Sequence, residues 1–376
     1  MTPTPGRAVA VVNVGAVERN CARLVRELAG DARLCAVVKA NGYGHGAVEC
    51  ARAALAGGAT WLGVATAAEA AELRAHFPNA PVLTMGALTD PELEVALDAR
   101  SDIAIWRPEH AERAAARGQE LDMCPRVHVK YDTGMGRLGE RDPDAVLRLM
   151  EMAAREQRLE VAGLWTHFAT ADELDSGFFD HQLERFGALA DRVRAEHPAV
   201  LVHAANSAAT LRDPGAHFDM VRCGIAIYGL DPFNHDPLER ELEPALELRS
   251  YLADVKRFAT GESAGYGRSW RASGDTWVGV LPIGYGDGVR RGLTNNADVL
   301  VAGRRRPLVG TVSMDNITID LGADTDLAPG VEATLIGGQG TDRVLCEEIA
   351  RRLETINYEV TCGISQRVPR CYVRSP

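Results

Sequence analysis

Residues 34–55 read LCAVVKANGYGHGAVECARAAL, and this stretch contains the pattern on which the first part of the chain is built. Its first six residues form an apolar, β-branched run that is typical of a buried strand. From residue 45 onward, alanine, glutamate and arginine follow with the spacing of a helix that has one apolar side. The glycine-rich segment between them is typical of a turn. The stretch therefore predicts one strand, one turn and one helix.

The same unit recurs up to about residue 230, with further helices predicted over residues 67–77 and 177–197. Strands that alternate with helices are typical of a parallel sheet with crossover connections. A series of eight predicts an α/β fold, a closed (β/α)8 barrel of the TIM type. The eight candidate strands are LCAVVK (34–39), WLGVA (61–65), PVLTM (81–85), DIAIW (102–106), RVHVKYD (126–132), VAGLWTH (161–167), VLVHAAN (200–206) and MVRCGIAIYG (220–229).

The pattern changes at the proline-rich, charged segment DPFNHDPLERELEPAL, residues 231–246. Short strands with glycine-rich turns follow it, including TWVGVLPIGYGDGV at 276–289 and EATLIGG at 332–338. We therefore place a domain boundary near residue 238. The prediction is a barrel domain over residues 1–237 and a mostly β domain over residues 238–376.

Composition and charge exclude several classes of protein. Hydrophobic residues make up 46% of the 376 residues, and no run approaches the length of a membrane span, so we expect no membrane protein. Lysine and arginine total 41 against 52 acidic residues, which gives a formal charge of −11. That sign disfavours nucleic acid as a partner, because a protein must neutralise phosphates to bind it.

The cysteines indicate a reducing compartment. The chain has eight of them, with no CxxC pair and no cysteine–histidine spacing suited to zinc. Eight cysteines in so long a chain do not form the dense framework of a small secreted domain. The N-terminus also lacks a secretory cleavage signal of the usual form. We therefore expect a cytoplasmic protein.

Chemically capable side chains cluster at or just after the predicted strand ends, where TIM-type barrels carry their active sites. They combine cations, hydroxyls and one imidazole. Neither a pair of carboxylates for glycoside hydrolysis nor a set of metal ligands stands at these positions, so no metal is expected. The candidates are Lys39, Tyr43, Arg137, His167, Asn206, Ser207 and Arg222.

Lys39 ends an apolar run and is followed by ANGYGHG, whose three glycines allow the backbone to pass close to a bulky group. A lysine whose carbon stem is buried at a barrel rim has a lowered pKa and can form a Schiff base with a carbonyl cofactor. A lysine that only extends from a strand end to solvent is the alternative. The flanking glycine motif favours the first interpretation.

The segment AVVKANGYGHG at residues 36–46 resembles the pyridoxal-phosphate lysine motif of the alanine racemases, enzymes of fold type III. The resemblance covers nearly the whole chain, in nine blocks that keep the family's order. One such block is moderate evidence, whereas nine across both domains are highly specific. The other eight are VKYDTGMGRLG (129–139), THFATAD (166–172), HAANSAATL (203–211), VRCGIAIYGL (221–230), SAGYGRSW (263–270), LPIGYGDGVRRGLTN (281–295), VGTVSMDNITIDL (309–321) and NYEVTCGISQRVPR (357–370).

The resemblance implies a reaction with two bases on opposite faces of the substrate. Lys39 matches the residue that binds pyridoxal phosphate and serves the α-proton of the D-enantiomer. Tyr266 matches the second base, which acts on the L-enantiomer and comes from the other subunit of a homodimer. A tyrosine is a poor base at neutral pH unless nearby cations stabilise its phenolate. His167 and Arg222 resemble the residues that do so.

The resemblance also assigns residues to the cofactor. Arg222 matches the partner of the pyridine nitrogen, and because arginine stays protonated it makes the ring a weaker electron sink than an aspartate partner does. Amides after the eighth strand of a TIM-type barrel commonly bind phosphate. The residues assigned to the phosphate and to the rest of the cofactor are Tyr43, His167, Asn206, Ser207, Gly224, Ile225 and Tyr358.

The remaining assignments concern the substrate. Arg137 resembles the residue that contacts the substrate carboxylate, and the backbone around Met314 of the other subunit adds a second donor. Lys130 matches a position where many members carry a carbamylated lysine that orients this arginine, although an ordinary strand lysine is the alternative. Tyr285 and Asp315 match residues of the substrate corridor. Gly42 departs from the family, since many members have alanine there.

The implied function is the interconversion of L-alanine and D-alanine, which supplies D-alanine for peptidoglycan. One alternative is a racemase of the same scaffold with broader specificity or a preference for serine, because packing alone excludes an added hydroxyl poorly. A decarboxylase on a related scaffold fits Tyr266 and the SMDN segment less well. A third alternative is a non-catalytic pyridoxal-phosphate carrier, but a single-barrel carrier needs no second domain.

Overall fold

The computed structural model describes residues 6–375, and these form two compact units. Residues 18–42 and 47–227 form the first, here called the barrel unit. Residues 6–17, 43–46 and 228–375 form the second, here called the β unit. The predicted domain limits at residues 1 and 376 lie outside the described residues, and the boundary near residue 238 stays a prediction.

The barrel unit contains the predicted closed barrel. Strands are numbered in chain order, and the first, β1 (Val9–Asn13), belongs to the β unit. Within residues 6–375, eight strands pair in parallel with their sequence neighbours, and the last closes onto the first, so the (β/α)8 prediction is confirmed. They are β2 (Arg33–Val37), β3 (Trp61–Val64), β4 (Val82–Thr84), β5 (Asp102–Ile105), β6 (Arg126–Lys130), β7 (Glu160–Trp165), β8 (Leu201–His203) and β9 (Met220–Cys223).

The last predicted barrel strand is too long. The sequence suggests a strand over residues 220–229, but β9 ends at Cys223 and a 3-10 helix follows over Ile225–Tyr228. The amide of Gly224 donates to the Ser207 side chain at 3.0 Å instead of to a neighbouring strand. The apolar run after Gly224 is therefore buried as a helical turn, which hydrophobicity alone does not distinguish from a strand.

Helices connect the barrel strands. Thr66 begins one of them with a capping box, in which its side chain accepts from the Glu69 amide while the Glu69 carboxylate accepts from the Thr66 amide. The three helices predicted within residues 45–55, 67–77 and 177–197 are confirmed. The helices that precede or connect the barrel strands are Val14–Glu27, Ala47–Ala56, Ala67–His76, Asp90–Asp98, Pro108–Glu120, Pro143–Arg155, Phe178–Glu196 and Ser207–Arg212.

Alternation along β6 places polar side chains inside the barrel. His128 of β6 contacts His203 of β8 across the barrel, which skips the strand between them and marks both side chains as interior. Because successive strand residues point to opposite faces, Lys130 shares the interior face and Val129 points out toward the helices. A buried lysine and buried histidines therefore occupy positions that apolar residues fill in most such barrels.

A left-handed turn follows β2. Ala40, Asn41, Gly42 and Tyr43 all have φ between 52° and 61°, and the Gly42 amide donates to the Val38 carbonyl at 2.8 Å. Consecutive left-handed residues cost conformational energy at every position except glycine. Gly42 is therefore suited to this turn, in which an alanine would be strained.

The two later glycines of this motif are required by packing. A Cβ at Gly44 would collide with the Thr361 carbonyl, and one at Gly46 would collide with the Tyr372 hydroxyl. At these two positions, the close approach predicted from the glycines is therefore made by other segments of the same chain.

The β unit is mostly β, as predicted. Strand β1 lies between two other strands, antiparallel to one near residue 249 and parallel to one near residue 371. The remaining strands are β10 (Leu246–Tyr251), β11 (Asp254–Phe258), β12 (Ser263–Ala264), β13 (Trp270–Arg271), β14 (Thr276–Leu281), β15 (Asp298–Val301), β16 (Arg304–Pro307), β17 (Ile317–Gly322), β18 (Glu332–Gln339), β19 (Asp342–Val344) and β20 (Arg370–Val373), with helices Cys346–Arg352 and Asn357–Cys362.

These strands form three sheets in residues 6–375. The largest has the order β16-β15-β18-β10-β1-β20, with β19 paired to β18, and the others are β11-β14-β17 and β12-β13. Along β10, buried and partly exposed residues alternate, which is the pattern of a sheet with one covered face. None of the helices in the described part of the chain has the length and apolarity that crossing a membrane requires.

Candidate active site

Lysine is rare in this chain, and its positions are informative. The sequence contains three lysines, Lys39, Lys130 and Lys256, against 38 arginines. Two of the three lie at the carboxyl ends of barrel strands, since Lys39 follows β2 and Lys130 ends β6. A chain that uses arginine for nearly every other cation retains lysine here, and only lysine offers an amine whose pKa shifts readily on burial.

Arg222 is a buried cation of the barrel unit with several hydrogen bonds to the protein. It lies one residue before the end of β9 and is 3% exposed. Its Nη1 donates to His203 Nδ1 at 2.9 Å, and its Nη2 donates to the carbonyls of Thr166 and Ala204 at 2.7 and 2.9 Å. Burial lowers the pKa of Arg222 to about 10, so it remains charged at neutral pH.

The Nε donor of Arg222 remains for a ligand. Among the described residues, none accepts a hydrogen bond from its Nε, although both Nη atoms are engaged. A guanidinium has no acceptor atom, so its remaining N–H groups suit an acceptor such as a ring nitrogen. Pyridoxal phosphate has such an atom.

Lys130 is buried beside aromatic and cationic groups. It is 2% exposed, and its Nζ lies 4.1 Å from the centre of the Trp165 ring. Its pKa is lowered to about 7, mainly by burial and also by the charges of Arg137 and Arg222, whereas Asp132 opposes the shift. Lys130 therefore loses its proton far more readily than an ordinary surface lysine does.

His167 is neutral in this environment. Desolvation holds its pKa well below the ordinary histidine value, and the positive charge of Arg222 acts in the same direction. Arg222 Nη2 lies 3.4 Å from His167 Nδ1. Because Arg222 can only donate, Nδ1 is the acceptor and the proton of His167 is on Nε2. His167 is therefore placed as a neutral hydrogen-bond donor.

Ser207 and Asn206 organise the backbone after β8. The Ser207 hydroxyl oxygen accepts from the amides of Gly224 and Ala226, at 3.0 and 3.3 Å. Asn206 caps the helix Ser207–Arg212 by accepting from the Ala209 amide at 2.9 Å. Ile225 begins the 3-10 helix after β9. The Ser207 hydroxyl and the start of the 3-10 helix therefore lie together at the carboxyl ends of β8 and β9, in the part of a barrel where phosphate commonly binds.

Arg137 and Lys39 complete the barrel-unit set. Arg137 is exposed in the loop after β6, and Lys39 is partly buried. The charges of both act on Lys130 and His167, lowering the pKa of each. Four cations, namely Lys39, Lys130, Arg137 and Arg222, thus belong to one electrostatic environment, which favours an anionic ligand.

In the β unit, three of the predicted residues have exposed side chains. Tyr266 is 73% exposed, Met314 is 51% exposed and Tyr285 is 44% exposed. The Tyr266 carbonyl accepts from the Thr311 hydroxyl at 2.7 Å, which anchors the turn while leaving the phenol outside. The Gly286 amide donates to the Met314 carbonyl at 2.9 Å, so the Tyr285 and Met314 segments are neighbours.

Asp315 belongs to an ionic network that we did not predict as a whole. Its carboxylate lies 2.7 Å from Arg367 Nη2 and 3.4 Å from Arg7 Nη1. Arg367 holds the pKa of Asp315 below its ordinary value. Arg7 also bonds the buried Asp287 at 2.7 Å. Arg7, Asp287 and Arg367 are far apart in sequence, so only the fold reveals that they act together.

Tyr43 and Tyr358 also lie in the β unit. Their ring centres are 5.9 Å apart, and the Tyr43 ring is 5.3 Å from that of Tyr228. Tyr43 is buried and Tyr358 is partly exposed. The two tyrosines assigned to the phosphate are thus neighbours within one aromatic cluster.

Sequence reasoning missed the histidines behind Arg222. His203 and His128 are fully buried and lie within hydrogen-bond distance of each other. The sequence does indicate an interior position for His128, because His128 lies two residues before Lys130 and therefore shares its face of β6. Without the fold, however, a single histidine in an apolar strand gives no indication of its partner.

Comparisons with known proteins agree along the full chain. The family profile described as "Alanine racemase, N-terminal domain" matches residues 12–232, and "Alanine racemase, C-terminal domain" matches residues 245–372. The alanine racemase of Symbiobacterium thermophilum is 42% identical over 364 residues, which is 96% of each chain. Alanine racemase 1 of Bacillus subtilis is 41% identical and covers 97% of this chain and 93% of its own.

A solved structure shows the same fold. The alanine racemase from D-cycloserine-producing Streptomyces lavendulae superimposes with a TM-score of 0.94 at 35% identity, covering 100% of this chain and 99% of the other. Nearly every described residue is covered by the two domain profiles, by the relatives above 40% identity and by this superposition. The chain belongs to the alanine racemase family, whose members depend on pyridoxal phosphate.

Proposed function

We propose that this chain interconverts L-alanine and D-alanine with bound pyridoxal phosphate, in the cytoplasm, and so supplies D-alanine for peptidoglycan. Membership of the alanine racemase family supports the reaction class. The observation that carries the proposal is the group of cations at the carboxyl end of the barrel, with Lys39 and Lys130 as two of the three lysines in the chain.

The residues present fit the cofactor. A phosphate and a phenolic oxygen are anionic, and the site residues of the barrel unit are mostly cations and hydrogen-bond donors. The unpartnered Nε of Arg222 suits a ring nitrogen, and the lysine at residue 39 suits an aldehyde. When bound, pyridoxal phosphate supplies an electron sink that makes the α-proton of an amino acid acidic.

The chain's own residues then remove the α-proton from one face of the substrate and deliver a proton to the other face. The Lys39 amine binds the cofactor and exchanges the α-proton of D-alanine, and the Tyr266 phenol of a second subunit exchanges the α-proton of L-alanine. The neutral His167 donates its Nε2 proton toward the phenol oxygen and, through Nδ1, connects it with the charge of Arg222. That arrangement lowers the cost of a phenolate without placing a second cation beside it.

Arg137 and the Met314 backbone fix the substrate carboxylate. A guanidinium matches a carboxylate in two parallel hydrogen bonds, and a fixed carboxylate determines which bond to the α-carbon is aligned for cleavage. Ser207 and the amides near Gly224 hold the phosphate, with the Tyr43 and Tyr358 hydroxyls as further donors. Tyr285 and Asp315 line the substrate corridor. Lys130 orients Arg137, in its carbamylated form as in many relatives.

We further propose a homodimer in which each site receives Tyr266 and Met314 from the other chain. The large exposed fractions of both side chains support it, because exposed aromatic and sulfur-containing side chains are enriched in interfaces. A complementation experiment tests this directly. Lys39→Ala and Tyr266→Phe should each inactivate the homodimer, whereas a mixed dimer keeps one site with both native residues.

Co-expression of the two variants should restore about a quarter of wild-type activity, since half of randomly formed dimers are mixed and each has one intact site. A Tyr251→Phe variant, which changes a tyrosine of β10 that has no assigned role, serves as the control for Tyr266→Phe and should keep full activity. If no activity were recovered in a dimer that mass spectrometry shows to contain one copy of each variant, the shared site would be contradicted.

A further inference from the structure

A line of hydrogen-bonded side chains extends through the barrel behind Arg222. Arg222 Nη1 donates to His203 Nδ1 at 2.9 Å, and His203 Nε2 lies 2.8 Å from His128 Nδ1. His128 Nε2 in turn lies 3.0 Å from Asp102 Oδ2. The four residues come from β9, β8, β6 and β5, and all are buried. Asp102 begins β5, so the line extends from the amino-terminal end of the barrel toward its active-site end.

The two ends of this line determine where every proton lies. Arg222 can only donate, so His203 Nδ1 is an acceptor and its proton is on Nε2. His203 Nε2 then donates to His128 Nδ1, which leaves the His128 proton on Nε2, facing Asp102. An ionised carboxylate can only accept, so the Asp102 end requires the same direction independently. Both histidines are therefore neutral Nε2–H tautomers.

Packing holds the two rings in this arrangement. The Trp165 ring is nearly parallel to the His203 ring, at 8° and 5.8 Å between centres, and Trp61 meets His128 edge to face at 5.8 Å. Gly163 faces His128, and a Cβ at that position would collide with the imidazole Nδ1. Glycine is thus required at residue 163 to admit the His128 ring.

A carboxylate at the far end has an electrostatic consequence. Hydrogen bonds in a chain polarise one another in a low-dielectric interior. Asp102 therefore makes His128, and through it His203, a stronger acceptor for the Arg222 guanidinium. Arg126 shares Asp102 at 3.2 Å and also pairs with Glu160, so the carboxylate is held at the barrel end.

We propose that Asp102 and His128 are positioning residues that act through His203 to fix the guanidinium of Arg222, keeping Nη1 engaged in the protein and Nε available to the cofactor. The proposal rests on the cofactor role of Arg222 given above. No proton is transferred along the line, because both ends already have the charge that their bonds require. Its function is to hold the buried Arg222 guanidinium in one orientation, with one set of hydrogen-bond partners.

Nitrogen NMR of the cofactor-free protein tests the proton positions without any enzymatic readout. With 15N-labelled histidine, His128 and His203 should each show one protonated Nε2 and one unprotonated Nδ1 between pH 6 and pH 8. Single Asn or Gln variants of each histidine assign the signals. A protonated Nδ1 on either ring, or a doubly protonated ring, would overturn the proposal.

Asp102→Asn then tests the functional consequence. The amide oxygen can still accept from His128, but the negative charge is lost, so His128 and His203 are polarised less strongly as acceptors for Arg222. We expect pyridoxal phosphate to bind on the order of tenfold more weakly and kcat to fall by a similar factor, with KM for alanine little changed. The wavelength of maximum absorbance of the bound cofactor should also shift.

Asp219→Asn is the matched control. Asp219 also lies near the amino-terminal end of the barrel, accepting from the Val202 amide at 2.7 Å and from Arg194, but has no bond to the line. Cofactor affinity and kcat should stay at wild-type values in this variant. If Asp102→Asn behaved like Asp219→Asn in both properties, the positioning role would be wrong.

A further variant distinguishes failure of the proposed function from failure of the positioning role. Arg222→Gln should weaken the cofactor and alter its spectrum if Arg222 binds it. Unchanged cofactor binding in Arg222→Gln would refute the role of Arg222 itself. A strong effect of Arg222→Gln, together with no effect of Asp102→Asn, would refute only the positioning residues.

Discussion

Lys130 should titrate about three units below an ordinary lysine. Its pKa is lowered to about 7 by burial and by neighbouring arginine charges, against roughly 10.4 for a free lysine. At about 1.36 kcal/mol per pKa unit, the folded protein disfavours the charged amine by roughly 5 kcal/mol relative to water. This free-energy penalty is comparable with the net stability of a typical domain.

Selective labelling makes this pKa measurable, because the chain contains only three lysines. With lysine labelled by 13C at Cε, the cofactor-free protein should show three resonances, assigned through Lys130→Met and Lys256→Met. The Lys130 signal should titrate near pH 7, and the exposed Lys256 provides a second resonance for comparison. A Lys130 midpoint above about pH 10 would refute the reasoning.

The same shift predicts how stability depends on pH. The folded-state pKa lies below the unfolded value, so between about pH 7 and pH 10.4 the unfolded chain binds more protons and stability rises with pH. Lys130→Met removes the penalty, and urea unfolding should show its largest gain at or below pH 7, vanishing near pH 10.5. The Lys256→Met control should show no such trend. Addition of 13C-bicarbonate to the labelled protein should give a carbamate signal from Lys130 alone.

Two further substitutions test local packing and bonding. Gly163→Ala forces the His128 ring out of place and should lower the free energy of unfolding by about 1–3 kcal/mol, whereas Gly177→Ala, with open space around it, should change it little. Equal urea midpoints for the two variants would contradict the packing account. Ser207→Ala leaves the buried Gly224 amide without its acceptor and should cost about 1–3 kcal/mol. It should also weaken inorganic phosphate binding, and an unchanged phosphate affinity would count against the assigned role.

The barrel could be predicted from the sequence because its signal is local. Each strand is a short apolar run followed by a helix, and the eightfold order has one common closed arrangement. The predicted end of β9 was wrong because an apolar run can be buried equally well as a strand or as a helical turn. Only the bond from the Gly224 amide to Ser207 distinguishes the two.

The electrostatic state of the site could not be predicted in the same way. The sequence identifies Lys130 and His167 as candidates, but their pKa shifts depend on burial and on cations from distant strands. The line from Asp102 to Arg222 joins residues more than one hundred positions apart. Periodicity places each of them inside the barrel, whereas their pairing depends on the barrel's closure.

The most direct test of the proposed function is optical inversion of L-alanine and L-serine by the purified protein, with added pyridoxal phosphate in deuterated water. We predict that L-alanine inverts with incorporation of deuterium at the α-carbon, and that L-serine inverts far more slowly. Comparable rates with both would indicate a racemase of broad specificity. Absence of α-proton exchange from either amino acid, in protein shown to contain bound cofactor, would contradict the account.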